Sequence, residues 1–244
     1  FSEQNHQRGC CQVYNRSDIV YVYDGSYEGM LCCIFESFEK KELPSDIQAA
    51  DVPQVSLYHP KVINTDLNKA VRVKNGIIKK ASAEAYEFVR QGYYICHPSK
   101  ERLVLDYVRL CMQYGRKVLR LLSNDTVCEL HRAVRKLGNE CHKLKGFIRF
   151  SIHNGILVSI IEPNNFVLPN IAPHFCDRYS EEAFVIYDQS HGAALIYRPH
   201  EASIIGVDKY DAPICDKEEE FYRSLWKTFY NTIAIDERYN PKCR

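Results

Sequence analysis

At 244 residues, with 45% of them hydrophobic and 26% charged, the chain has material for one large or two small globular domains, which excludes a disordered polymer. Its longest unbroken apolar run, Met30 to Phe35, is far short of the roughly 20 residues that span a bilayer, so no transmembrane helix and no membrane partner are expected. The net charge of +1 conceals an uneven distribution: residues 1–58 carry 4 basic and 9 acidic side chains, 59–149 carry 19 and 8, and 150–244 carry 9 and 14. A central third at +11 between two acidic thirds is a candidate electrostatic footprint for a polyanion, and the alternative, which composition alone favours, is a set of solvated helix faces. No secretory signal stands at the start, and with Phe1 as its first residue the sequence is expected to lie inside a longer product. Eleven cysteines, odd in number and including the adjacent pairs Cys10-Cys11 and Cys32-Cys33, read as reduced thiols of a cytoplasmic protein rather than a disulfide framework.

In chain order, Ile19–Tyr23 is a β-branched and aromatic strand followed by turn residues Asp24-Gly25-Ser26, with Ser26 placed to cap a helix. Leu31, Ile34, Phe35 and Phe38 recur at helical spacing in that segment, and Pro44 lies beyond its end. Gly25 and Gly29 satisfy neither a P-loop nor a dinucleotide fingerprint. Residues 44–81 read as irregular connection with one strand at most, because Pro44, Pro53, Pro60 and Gly76 interrupt every period. Three helices follow: one capped by Ser82 and running to Tyr94, one capped by Ser99 and running to about Leu122, and one capped by Asp125 and running to Leu144. In the third, Leu130, Val134, Leu137, Cys141 and Leu144 form an apolar stripe, and Arg132, Lys136, Asn139 and Lys143 take the same steps on the opposite side.

At Gly146 the period changes from 3.6 to 2, and Gly146–Ile152 and Ile156–Ile161 flank Asn154-Gly155, a strong hairpin signal. A short helix over Pro169–Tyr179, a second strand pair around Gln189–Gly192 and an aromatic-rich helix over Glu218–Ile235 complete the reading. The expected class is α+β, a helical middle packed on a mainly antiparallel sheet. The chain is read as one compact unit with three regions: an N-terminal strand and helix (19–58), a basic helical region (59–145), and the sheet with its closing helix (146–244).

The missing motifs are informative. The sequence has no Gly-x-Ser-x-Gly elbow, no Walker lysine, no His-Glu-x-x-His, no Cys-x-x-Cys and no Cys-x-x-x-Cys-x-x-Cys cluster motif. The spacing of His142, His174 and Cys176 recommends no metal, and no cofactor is expected. The stretch Glu140–Phe150 concentrates polar chemistry: His142 titrates near neutral pH, Lys145 and Arg149 suit phosphate, and Phe147 and Phe150 should occupy opposite faces of the first hairpin strand. An exposed aromatic beside arginine stacks single-stranded bases; the alternative is that both rings are core and Glu140 pairs with Lys143. In a second cluster, His174 and Arg178 share a helical face and Asp177 can pair with the arginine or orient the histidine, giving either an acid/base group or a plain salt bridge.

Four segments carry a family resemblance: Tyr23-Asp24-Gly25-Ser26-x-x-Gly29; Glu140-x-His142-Lys143-x-Lys145-Gly146-Phe147-x-Arg149-Phe150; Ala172-Pro173-His174-Phe175-x-Asp177-Arg178; and Ile233-Ala234-Ile235-x-Glu237-Arg238-x-Asn240-Pro241. In this order, from about Val20 to Pro241, they resemble the uncharacterised bacterial family labelled "probable DNA metabolism protein", which also occurs as a C-terminal extension of some uracil-DNA glycosylase-like proteins. The resemblance implies an accessory role in DNA repair or base modification, with a glycosylase-like or radical S-adenosylmethionine protein as partner. Three readings follow. In the first, Arg132, Arg135, Lys136 and Lys143 contact DNA phosphates, with Lys145, Arg149 and Arg178 nearer a site. In the second, the chain is an enzyme acting on a nucleotide or base, with His142 and His174 as acid/base groups beside Asp177, and Arg149 and Arg178 as anion clamps. In the third, it is an adaptor that docks its partner through Trp226 and Tyr230 of the last helix.

Overall fold

The computed structural model describes residues 15–50, 58–153 and 155–207. The chain divides into two compact units: one takes the residues up to Tyr93 together with His97–Arg132, the other takes Tyr94–Cys96 and the residues from Ala133 onward. The class is α+β.

In the first unit, β1 (Asn15–Tyr23) is the middle strand of a three-stranded parallel sheet, flanked by β2 (Glu42–Ala49) and β3 (His59–Val62). Helix α1 (Tyr27–Lys40) connects β1 to β2, and Lys41, at φ 54°, turns the chain out of it. The expected cap is present, with the Ser26 hydroxyl accepting from Gly29 N–H at 2.9 Å. Every residue from Gly29 to Ile34 is buried, so this helix is enclosed on all sides of its first turns, not on the single stripe that the spacing predicts. Glu42 receives the Tyr21 hydroxyl at 2.5 Å and pairs with Lys61 at 2.6 Å, tying the three strands together.

The region 44–81 departs from the sequence reading. It holds two strands and a full helix, α2 (Leu67–Lys80), in place of irregular connection. Asp66 caps α2 by accepting from the N–H groups of Asn68 and Lys69, and Ala70, Val73 and Ile77 make its buried face. Gly76 costs such a helix only about 1 kcal/mol and does not stop it. Pro44 sits within β2, at an edge of the sheet, where a missing N–H is tolerated.

Helix α3 (Ala83–Tyr94) starts as expected, with the Ser82 hydroxyl accepting from Ala85 N–H. Helix α4 (Lys100–Tyr114) is shorter than its apolar period, because Gly115 at φ 57° converts the chain to a tighter 3-10 segment over Gly115–Arg120. Ser99 makes no side-chain cap bond there. Helix α5 (Asp125–Phe147) is capped by Asn124, whose side chain accepts from Val127 N–H, and not by Asp125.

The second unit carries a five-stranded sheet in sequence order: β4 (Ser151–His153), β5 (Ile156–Ile161), β6 (Phe184–Asp188), β7 (Ala193–Arg198) and β8 (Glu201–Gly206). It is antiparallel except at β5/β6, which are parallel and joined through α6 (Leu168–Arg178). Gly155, at φ 81°, serves the predicted hairpin turn. Strand β6 is buried at every position, as a central strand covered on both faces must be. Phe150, Phe175, Tyr179, Phe184 and Tyr197 form an aromatic cluster, while Val185, Tyr187, Ala194 and Ile196 form a second buried group on the sheet.

One boundary moves. The helix does not turn at Gly146 but runs on to Phe147, so neither Phe147 nor Phe150 lies in a strand. The units part between Arg132 and Ala133, within α5, while the change of period lies at Gly146. The helix predicted over Glu218–Ile235, with Trp226 and Tyr230, lies outside the described residues.

Candidate nucleic-acid interface

Helix α5 sorts its side chains as its 3.6-residue period dictates. Leu130, Leu137 and Cys141 are buried, with Val134 and Leu144 half-buried beside them. Arg132, Arg135, Lys136, Asn139 and Lys143 are exposed. Arg132, in the first unit, places its guanidinium 3.7 Å from Cys128 Sγ. Arg135, Lys136, Lys143 and Arg149, in the second unit, form no ion pair among the described residues. A cation with no carboxylate beside it leaves its positive potential uncompensated at the surface, where it attracts an anion.

At its C-terminal end α5 borders a groove of about 600 Å³, walled on the other side by β5. Phe147, Arg149, Ser159, Ile160, Glu140 and Glu162 line it. The two phenylalanines of this stretch part company. Phe150 packs edge-on against Phe175, Tyr179 and Phe184, whereas Phe147 is 74% exposed. Lys145, expected beside Arg149, is half-buried in the last helical turn.

Glu140 does not pair with Lys143. Its carboxylate accepts from Asn164 N–H at 2.8 Å and Nδ2 at 3.3 Å, and from Asn165 N–H at 3.0 Å and Nδ2 at 2.6 Å. Burial works against the charge, but the Asn165 and Asn164 donors outweigh it and hold the carboxyl below the usual glutamate range. Asn165 in turn accepts Cys96 N–H on its Oδ1. The result is a clamp: the helix that carries the basic face is tied to the loop that leaves β5.

The histidines are not brought to this groove. His142 is exposed on α5 and does not line it. His174, on α6, lies edge-on to Phe175, and its Nε2 is buried without a hydrogen-bond partner among the described residues. Asp177 is exposed and bonds to neither His174 nor Arg178, whose guanidinium stands over the Tyr179 ring at 5.7 Å. Among the described residues no group of three His, Cys, Asp or Glu side chains is arranged to hold a metal.

Residues 98–244 match the family described as a domain of unknown function, DUF4130. That stretch is more than half of the chain. The chain belongs to the DUF4130 family. No curated protein matches it. The DUF4130 region holds α5, the groove and the five-stranded sheet, while the Tyr23–Gly29 turn precedes it.

Two features of the DUF4130 region escaped the sequence reading. Glu162, Ser159 and Ile160 join the groove only because β5 is placed against the end of α5. Asp188 and His191 form a dyad: the carboxylate is fully buried at the end of β6, accepts His191 N–H at 3.1 Å and stands 2.8 Å from His191 Nδ1. The signal was Asp-x-x-His at a predicted turn, a spacing that closes a hairpin through the aspartate side chain. Within the first unit, Asp24 plays a like part by accepting from Ser26 and Thr65. Gly29 is required beneath it, since a Cβ there would stand 2.2 Å from Asp24 Oδ1.

Proposed function

We propose that this DUF4130 protein is a nucleic-acid-binding accessory factor in DNA repair or base modification, working beside a glycosylase-like or radical S-adenosylmethionine protein in the cytoplasm. The observation that carries the binding role is the exposed face of α5, where Arg135, Lys136 and Lys143 stand without carboxylate partners among the described residues and lead toward Arg149 at the groove. The repair setting follows from the resemblance of the four sequence segments. The free, unpaired cysteines among the described residues agree with a reducing compartment, and no helix among those residues is long and apolar enough to cross a membrane.

Binding is favoured over an acid/base role because the groove recruits a cation and an aromatic ring but neither His142 nor His174. The test is fluorescence anisotropy with labelled DNA over a salt series. Affinity falls steeply as salt rises, and the triple variant Arg132→Glu, Lys136→Glu, Lys143→Glu loses at least about tenfold at low salt. Absence of wild-type binding at low salt, or an unaffected triple variant, overturns the reading.

A further inference from the structure

Resting on that nucleic-acid reading, we propose that the groove at the end of α5 takes an unpaired base, so that the protein prefers single-stranded to duplex nucleic acid, with Phe147 as the stacking platform. Three observations converge. First, a phenylalanine with 74% exposure at the last residue of a helix is bare on the face that a base would cover, and the ring borders a groove of about 600 Å³. That volume lies within the range of pockets that accept small organic ligands, roughly 300 to 1,000 Å³. Second, Lys136, Lys143 and Phe147 follow one another at steps of seven and four along α5, so the ring continues the line of the basic face. A strand whose phosphates follow the lysines is therefore led to the ring. Third, Arg149 lines the same groove as Phe147, which puts a cation and an aromatic ring in one groove, the combination that holds single strands.

The carboxylates of the groove fit this occupant. Glu140 is engaged by four N–H donors from Asn164 and Asn165, which disperse its charge. Glu162 is exposed and lines the groove, where it repels phosphate and accepts N–H groups of a base edge, which favours a base over the backbone as the occupant. A base held in a duplex stack has neither face free for Phe147, whereas an unpaired one does.

The experiment measures affinity for three probes: a single-stranded DNA oligonucleotide, its blunt duplex, and an equally long strand of abasic sites. Wild-type protein binds the normal strand most tightly. Phe147→Ala, which removes an exposed side chain, weakens the normal strand about tenfold and leaves the duplex and the abasic strand unchanged. Phe147→Trp restores the preference, and the indole emission it adds to that of Trp226, taken as the difference from wild type, is quenched by the normal strand but not by the abasic one. If Phe147→Ala binds all three probes as the wild type does, with salt dependence intact, the base-stacking assignment falls and the nucleic-acid reading stands. If the wild type binds none of the probes at low salt, both fall. If sedimentation shows a wild-type dimer that Phe147→Ala converts to monomer, with strand affinity unchanged, the face belongs to a second copy of the chain and the proposal is overturned.

Discussion

Replacing Glu140 with glutamine keeps the shape of the side chain but turns one acceptor oxygen into an NH2 group facing N–H donors. Four donors converge on the carboxylate at 2.6 to 3.3 Å, two from each of Asn164 and Asn165. Hydrogen bonds to a charged group contribute about 1.5–3 kcal/mol each when one partner is removed. Here the donors share two oxygens, the site is partly solvated and glutamine retains one acceptor, so the bonds are not additive and a loss of about 2 kcal/mol is expected. At this chain length that is a fall of about 4–8 °C in Tm. Hydrogen exchange gives the local reading: the amides of Asn164 and Asn165 lose protection in Glu140→Gln. The pH dependence has a definite sign. A carboxyl held below its ordinary value of 4.5 in the folded protein contributes its full stabilisation above that value and loses it as pH falls through the folded pKa. The stability gap between wild type and variant is therefore constant near neutrality and closes under acid conditions. Equal stability at neutral pH, or a gap that widens with acid, refutes the clamp.

Gly29→Ala forces a methyl group to within 2.2 Å of Asp24 Oδ1 and 2.9 Å of Thr65 Oγ1, and should cost about 1–3 kcal/mol by urea denaturation. Gly92→Ala meets Val104 Cγ2 at 2.9 Å and Leu130 Cδ1 at 3.1 Å in the first unit, and should destabilise by a similar amount, read as an earlier unfolding midpoint. Leu137→Ala empties a fully buried position of α5 and should lose about 2–5 kcal/mol, whereas Asn139→Ala on the exposed face should be close to neutral in the same assay. His191→Ala removes the ring from a fully buried Asp188 carboxylate and should cost about 2 kcal/mol, with faster hydrogen exchange across the β6–β7 turn.

Most elements of the second unit were legible in the sequence because each rests on a local pattern. The Asn154-Gly155 dipeptide, the short apolar run of β5 and the apolar steps of α5 each involve residues within a few positions of one another, so each reports local structure directly. The same locality explains the misses. Gly76 and Pro44 look like interruptions in a short window, but the cap at Asp66 and the edge position of β2 decide whether they interrupt anything.

What the tertiary structure alone decided is where each side chain of the central motif goes. Glu140 reaches donors 24 and 25 residues away, Phe150 enters the aromatic cluster and Phe147 stays in solvent, although all three stand within one short, uniformly polar and aromatic segment. Composition and period set the kind of element and which of its faces is apolar. They carry no information about which distant loop meets a given carboxylate or which of two equally hydrophobic rings is covered, because those depend on the crossover through α6 and the pairing of β5 with β6, contacts that form only when segments remote in the chain are packed together.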